Sequence, residues 1–361
     1  MRPRVLMLPV HCPIRWLISM NNLATDETFL LRAVTLAEAY VGSTAPNPPV
    51  GAICVRDGIV LGEGAHQRAG TPHAEVHCLN NCPSDLTGAT LYVTLEPCST
   101  AGRTPPCCEL ILKRRPSRVV IGCLDPNPRH AGRAIPLLEA AGIQVDIATG
   151  SAAQACERLI APFAKMITRG LPYVRLKLAM TLDGALADRT GTSQWITGEV
   201  ARTWVQHQRL RADAIMVGAG TARIDHPSLQ PHLEGAPLKK RVIVDRHTSV
   251  AHTDRDAQTI IATEDLQYDG LHLEPALRKL CTYGVNEVFC EGGGQLAAAL
   301  LEQNLVDELI LIYAPKVLGD PASVRGLPIT PRLLSAAMTF DVTERLTMGM
   351  DTAILLRPKQ S

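Results

Sequence analysis

An α/β fold in two domains is what this sequence predicts, and three observations predict it. Runs of branched and aromatic residues alternate with stretches whose apolar residues recur at helical spacing. At 361 residues the chain is long enough for roughly two domains. An amphipathic stretch ends at Gly170 and Pro172, and a fresh strand pattern follows. The division is therefore an extension over 1–23, a first domain over 24–170 and a second over 171–361. No low-complexity linker separates the halves, so they are expected to pack together.

Each element has a local reason. Phe29, Leu30, Ala33, Leu36, Ala37 and Tyr40 mark a helix over 26–41. Ala45-Pro46-Asn47-Pro48-Pro49 is a loop by proline content. Strands over 50–55 and 59–64 flank Asp57-Gly58, a hairpin turn. Pro72 suits a helix start near His73. A strand over 90–95 follows, then a helix over 108–115, a strand over 118–123, a helix over 133–141 and a strand over 143–148. Ser151 caps a long helix to about Thr168. The second half reads as strands over 173–180, 213–218, 241–245, 259–262, 286–290, 308–314 and 353–356. Helices are expected over 199–211, 275–283 and 295–303. The halves share no internal repeat.

Composition narrows the function. Apolar content of 46% and charge of 20% are those of an ordinary globular protein. A net charge of +1 gives no pull toward nucleic acid or anionic membrane, and 4% aromatics offers few stacking platforms for single strands. Eleven cysteines, an odd number spread irregularly, read as reduced thiols plus a metal site, which places the protein in the cytoplasm. No stretch is apolar enough to span a bilayer. Residues 1–22 mix three arginines and three prolines without the continuous apolar core of a secretory signal. They read as a loose extension, or as a start placed upstream of Met20.

The chemistry is concentrated in His73-Ala74-Glu75, Pro97-Cys98 and Cys107. One imidazole and two thiolates make a three-ligand zinc site with a position left for water. Glu75, two residues after the histidine, is free to shuttle protons, an arrangement that is the signature of zinc deaminases. A thiolate at a helix start, as at Cys107, is favoured by the dipole. The competing reading is a structural zinc closed by a fourth ligand, with Cys108, His77 and Cys78 as candidates.

Further motifs extend the pattern in order: Ala45-Pro46-Asn47-Pro48-Pro49-Val50-Gly51, Gly62-Glu63-Gly64-Ala65-His66, Gly102-Arg103-Thr104-Pro105-Pro106-Cys107 and Asp125-Pro126-Asn127-Pro128. With them the chain, from about Asp26 onward, closely resembles the bifunctional riboflavin-biosynthesis deaminase/reductase family. Eight residues lie between Cys98 and Cys107, where base and tRNA deaminases normally have two. The resemblance implies a cytidine-deaminase-like three-layer first domain with a mixed sheet. Its substrate would be a phosphoribosylaminopyrimidine, contacted by Asn47, His66, Arg103, Asp125 and Asn127. Amide and carboxylate groups can read the edges of a pyrimidine, and a guanidinium pairs with phosphate. Each has a plainer alternative: Asn47 and Asn127 as turn residues, His66 as a surface or capping histidine. Two departures stand out. Ser99-Thr100-Ala101 lacks the family's histidine after Pro-Cys-Ser, and Gly132-Arg133-Ala134 replaces a Gly-x-Gly.

The strand into Gly292-Gly293-Gly294 and its following helix would aim free amides at a phosphate, although a triple glycine is also a tight packing turn. Ser193-Gln194-Trp195-Ile196-Thr197, Gly220-Thr221 with Asp225, Pro227-Ser228-Leu229 and Glu291-Gly292-Gly293 resemble the reductase domain of that family. The resemblance implies a dihydrofolate-reductase-like fold that uses NADPH. The cofactor would be held by Ala179, Trp195, Thr221, Asp225, Gly293, Gly294, Gln295, Leu296, Ala297, Ala298 and Ala299. Substrate would be held by Ser193, Arg209, Leu229, His232 and Glu291. His232 stands where the family commonly has an arginine. Taken alone, Arg209 reads as a solvated helix face and Trp195 as core. Glu291 and Lys177 are the candidate proton donors in reduction, with a buried structural lysine or carboxylate as the equal alternative. A homo-oligomer is the expected assembly. The competing functions are a nucleoside or tRNA deaminase with an accessory domain, and a zinc-stabilised scaffold.

Overall fold

The structure, a computed structural model, describes residues 25–100, 105–245, 258–266, 269, 272–325 and 327–359. The extension over 1–23 lies outside the described residues, as does Arg103.

The first half is built on one mixed sheet. Its elements are α1 (Asp26–Glu38), β1 (Gly51–Arg56), β2 (Ile59–Ala65), α2 (Ala74–Asn80), β3 (Thr90–Val93), α3 (Cys107–Arg114), β4 (Arg118–Ile121), α4 (Ala134–Glu139), β5 (Gln144–Ile147) and α5 (Gly150–Arg169). The strand order is β2-β1-β3-β4-β5. β1 pairs antiparallel with both neighbours, while β3, β4 and β5 run parallel. Asp57 and Gly58 turn the hairpin, both with positive φ, as a two-residue turn requires. Glycines set the layer spacing. A Cβ on Gly51 would strike the Ala33 carbonyl of α1, and one on Gly64 would strike Ala74 O and Cys78 N of α2. Helices therefore cover both faces of the sheet at backbone distance, which makes the expected three layers.

Ser151 does not cap α5. The cap residue is Thr149, and the Ser151 hydroxyl instead binds the Glu27 carboxylate of α1. Gly170 ends α5 in the left-handed conformation.

The second half follows at once with β6 (Tyr173–Thr181), β7 (Ala185–Ala187), α6 (Glu199–Arg211), β8 (Ala214–Gly218), α7 (Ala219–Asp225), β9 (Lys240–Val244), β10 (Thr259–Ile261), α8 (Ala262–Asp265), α9 (Leu273–Leu280), β11 (Glu287–Cys290), α10 (Gly294–Glu302), β12 (Glu308–Ala314), β13 (Val324–Arg325), β14 (Phe340–Met348) and β15 (Asp351–Pro358). The main sheet has the order β10-β9-β8-β11-β6-β12-β15-β14, parallel as far as β12, with β15 and β14 antiparallel at one edge. Two cores form, one on each face. Val174, Leu176 and Leu178 of β6 pack with α9 and α10, while Ile215, Phe289 and Ile310 pack with α6. Strand alternation then places Arg175, Lys177 and Ala179 on the α6 face.

Five elements escaped the sequence reading, three of them, β7, α8 and β13, because they span only two to four residues. α7 is short and starts on glycine-rich sequence, and β14 is largely solvent-exposed, so neither carries an apolar period. β15 is also longer than the 353–356 expected, because its ends pair with β14.

The halves meet along the amino ends of the second sheet. Asn286 Nδ2 donates to Pro46 O at 3.0 Å, Lys239 Nζ to Gly42 O at 2.8 Å, and Lys165 Nζ to Asp307 at 2.6 Å. A cavity of about 300 Å³ lies on this seam, between Asn47, Phe163, Tyr173, Arg175, Asp213 and Arg357.

Candidate active site

In the first half, three elements deliver three donors. His73 is the N-cap of α2, in extended backbone just before the first turn. Cys98 follows β3 across Glu96-Pro97, and Cys107 opens α3 behind Pro106. His73 Nδ1 lies 3.2 Å from Cys107 Sγ and 3.6 Å from Cys98 Sγ. Ordinary Zn–N and Zn–S bond lengths at a tetrahedral angle put that N–S edge at about 3.6 Å, so the cradle fits zinc. These three are the only group of potential ligand atoms so clustered among the described residues. The fourth-ligand candidates point elsewhere: Cys108 Sγ donates to Pro97 O at 3.7 Å and Cys78 Sγ to Gly62 O at 3.3 Å. His77 Nε2 is buried without a hydrogen-bond partner. The described donor set thus leaves a coordination position open, the mark of a catalytic rather than a structural site. Hydrogen bonds from Cys107 and His73 pull the Cys98 thiol down to about 4, while the bond to that thiolate and burial push Cys107 up.

Glu75 sits in the first turn of α2, only 3% exposed. Burial foremost, then the nearby Cys98 thiolate, raises its pKa, and its carboxyl hydrogen-bonds the Cys107 side chain. A carboxyl whose neutral form is favoured this way is suited to accept a proton and return it.

His66 is buried, not a surface histidine. Its Nδ1 lies 3.1 Å from Pro72 O and its Nε2 3.2 Å from Asn47 Nδ2. One tautomer satisfies both: Nδ1–H donates to the carbonyl and Nε2 accepts from the amide. The His66 ring stands edge-on to His73, with centroids 5.3 Å apart. His66 thus fixes both a metal ligand and Asn47, and burial lowers its own pKa, which keeps it neutral.

Asp125 Oδ1 accepts from Asn127 N and Asn127 Oδ1 from Arg129 N, so both residues shape their loop, the turn role weighed for Asn127. Two residues were missed. Glu96 is buried, and its carboxylate accepts three backbone amides, Asp125 at 3.1 Å, Gly132 at 2.9 Å and Ala134 at 3.0 Å. It ties the Cys98 turn to the Asp125–Ala134 loop. The only sequence signal was an acidic residue beside Pro97-Cys98. The other is His130, whose Nδ1 lies 3.2 Å from Thr100 Oγ1. An imidazole from a different loop thus stands against the position where the family's histidine is absent.

In the second half, Lys177 of β6, Arg209 of α6 and Glu291 after β11 converge. Arg209 Nε and Nη2 both bond the Glu291 carboxylate, and Lys177 Nζ lies 3.9 Å from it. Arg209 is therefore not a solvated helix face. Burial lowers the pKa of Lys177. Beside this cluster is the glycine turn. Gly293 caps α10 with no side-chain bond to the first amides, and a Cβ there would lie 3.4 Å from Thr221 Oγ1. A Cβ on Gly292 would press on Cys290 and Leu296 at 3.2–3.3 Å. Free amides beside a threonine hydroxyl suit a cofactor diphosphate.

The other expected positions divide. Ala179 lies on the same face of β6 as Lys177, half-buried. Gly294 and Gln295 lie in the open first turn of α10, Ala299 is half-buried, and Leu296, Ala297 and Ala298 are core, so those three offer a ligand only backbone. Asp225 ends α7. Trp195 is not core: it is 63% exposed, with the Arg202 guanidinium 4.8 Å over its ring. Ser193 accepts the Ile196 amide in a turn. Leu229 is 3% exposed with positive φ, so its side chain packs inward. His232 is exposed and lies 2.7 Å from Ser228 Oγ.

An open three-donor metal cradle with a buried carboxyl, on a sheet joined to a parallel-sheet domain with a glycine turn at its strand ends, defines a zinc-dependent deaminase coupled to a reductase. Two family models match the chain: the cytidine and deoxycytidylate deaminase zinc-binding region over residues 23–123, and the RibD C-terminal domain over 172–350. The riboflavin biosynthesis protein RibD of Escherichia coli is 38% identical over 92% of this chain and 99% of its own length. That of Bacillus amyloliquefaciens is 40% identical over 83% and 88%. Among solved structures, Acinetobacter baumannii RibD superposes with a TM-score of 0.85 at 34% identity, covering 94% of this chain and all of that one. A diaminohydroxyphosphoribosylaminopyrimidine deaminase/5-amino-6-(5-phosphoribosylamino)uracil reductase from Thermotoga maritima gives 0.81 at 34% identity, covering 92% and 99%.

The chain belongs to the RibD family of riboflavin biosynthesis, bifunctional enzymes with a zinc-binding deaminase domain and a reductase domain that uses NADPH. No helix among the described residues is long and apolar enough to cross a membrane.

Proposed function

We propose that this enzyme deaminates 2,5-diamino-6-(5-phosphoribosylamino)pyrimidin-4-one and then reduces the ribosyl side chain, giving 5-amino-6-(5-phosphoribitylamino)uracil. The observation that carries the reading is Glu75, buried against the Cys107 side chain beside an open three-donor cradle. When bound, zinc supplies Lewis acidity to water and NADPH supplies hydride. The chain's own residues do the rest. His73, Cys98 and Cys107 hold the ion. Glu75 takes a proton from the attacking water and delivers it to the leaving ammonia. Asn47, held by His66, presents its amide to the pyrimidine, with Asp125 and Asn127 on the facing loop and Arg103 on the phosphate.

In the second half, Gly293 to Ala299, with Thr221, Asp225, Ala179 and Trp195, receives NADPH. Arg209, Ser193, Leu229 and His232 receive the substrate. Lys177, beside Glu291, would hold the proton for the ribosyl nitrogen or oxygen when C1′ is reduced. The two activities divide at residues 170 and 171. A homo-oligomer in the cytoplasm fits the long exposed edge strand β14, a ready template for pairing with a second copy, and the ten free cysteines of the described residues.

The decisive experiment supplies the diaminopyrimidine with and without NADPH and identifies products by mass. The base hydrolysed at its 2-amino group is expected without NADPH, and the ribityl product with it. Ammonia release from cytidine or tRNA in preference to this substrate would overturn the reading.

A further inference from the structure

Behind the metal-bearing helix lies a cluster of thiols that neither reaction uses. Cys54 of β1 pairs with Gly62 of β2, so the two residues share one face of the hairpin. A Cβ on Gly62 would lie 2.6 Å from Cys82 Sγ and 2.6 Å from Cys78 O. The Cys82 sulfur therefore fills the space left by the missing side chain, next to Cys54. Cys78 Sγ donates to Gly62 O at 3.3 Å, and Cys82 Sγ to Cys78 O at 3.2 Å. Cys54 and Cys78 are buried, whereas Cys82 is half-buried and is the member that solvent reaches. Arg114 clamps the segment, donating to Leu79 O at 2.6 Å and Cys82 O at 3.2 Å. Hydrogen bonds from Cys78 and then Cys54, with the charge of Arg114, bring the Cys82 thiol down to about 7, while burial takes Cys54 up to about 12. A half-exposed thiol with thiolate character beside a second thiol is the arrangement of a redox-sensitive site.

We propose that Cys82 is an oxidation site, with hydroperoxides as the oxidant class, and that Cys54 resolves it as a disulfide joining the β1–β2 hairpin to the end of α2. The Cys82 thiolate attacks a peroxide oxygen. An S–O bond forms, the O–O bond breaks and hydroxide leaves. The Cys54 sulfur then attacks the Cys82 sulfur, the S–O bond breaks, and the departing hydroxide takes the Cys54 proton as water. Two thiols and one hydroperoxide give one disulfide and, from hydrogen peroxide, two waters, with two electrons passing to the oxidant. The consequence lies in α2, which carries His73 at its cap and Glu75 in its first turn. Helix and hairpin touch backbone to backbone at Gly64, so a tether at one end of α2 displaces the carboxyl at the other. The reductase cluster lies in the other sheet.

The test treats the zinc-loaded enzyme with hydrogen peroxide and follows peptide mass, zinc content and both activities. A Cys54–Cys82 cross-link is expected, with deamination reduced on the order of tenfold or more. Dithiothreitol should restore it, and zinc and reduction should stay unchanged. Cys82→Ala should keep its deamination through the same treatment, and Cys54→Ala should stop at the Cys82 sulfenic acid. A loss that tracks zinc release equally in Cys82→Ala would overturn the proposal. So would a Cys78–Cys82 bond, or a Cys82 that stays reduced while Cys98 and Cys107 oxidise. The activity readout rests on the function proposed above; the cross-link is read by mass alone, so the two fail separately.

Discussion

The two sites of this molecule are built by opposite means. The deaminase site is an assembly of side chains: an imidazole, two sulfurs and a carboxyl, each at a helix start or strand end and largely out of water. The proposed cofactor turn of the reductase half is mostly backbone, two glycines and the bare first amides of α10, with a charged triad beside it. An ion needs donors of particular chemistry, whereas a diphosphate needs amides and room. The first is therefore sensitive to residue type, and the second to anything that adds a Cβ.

Breaking one site without the other is the sharpest test of that contrast. Glu75→Gln is expected to lower deamination by about 10²–10⁴-fold. Zinc content and reduction of already deaminated substrate should stay unchanged, as followed by metal analysis and NADPH consumption. A parallel fall in both activities would mean that the sites are not independent.

The seam between the halves offers the next largest effect. Burial raises Asp213 to about 6, from a usual 3.8, while its Oδ2 accepts the amides of Asn286 and Glu287. The native state then holds this proton more tightly than the unfolded chain. Its contribution to stability is complete below about 4 and is lost as pH rises through about 6, on the order of 2–3 kcal/mol. Asp213→Asn keeps an acceptor for the amides and should remove that slope, read from denaturant midpoints between pH 4 and 8. If the two halves unfold separately, only the reductase transition will shift.

Smaller changes separate positioning from chemistry. Glu96→Gln replaces a carboxylate that holds three amides, so the substrate loop should loosen. Deaminase KM should rise about tenfold or more, each charged hydrogen bond being worth roughly 1.5–3 kcal/mol, with kcat less affected and zinc retained. A fall in kcat alone would remove the positioning role. In the other half, Arg209→Lys keeps the charge but loses the two-pronged bond to Glu291. It should raise reductase KM about tenfold, the equivalent of 1.4 kcal/mol, and leave deamination untouched.

Much of the first site was legible because metal chemistry is written in residue types. His73, Glu75, Cys98 and Cys107 stand out by residue type and spacing alone, and the short hairpin, α6 and β12 follow from turn residues and period. Single-residue alternatives were not decidable. Whether His66 was surface or buried, Arg209 solvated or paired, Trp195 core or exposed, depended on partners that no local pattern names: Pro72 and Asn47, Glu291, and Arg202. Glu96 and His130 were passed over for the same reason, since their partners lie 29 or more residues away.

The sequence by itself carried most of the element types, the fresh strand after Gly170 and the candidate metal donors, because propensity, turn chemistry and ligand softness are properties of residues. Only the tertiary structure decided which atoms meet: the N–S edges of the zinc cradle, the three amides on Glu96, the Lys177–Glu291–Arg209 cluster and the sulfur filling the gap at Gly62. Those contacts depend on strand register and on how closely helices approach the sheets, and both are set by packing across the whole fold.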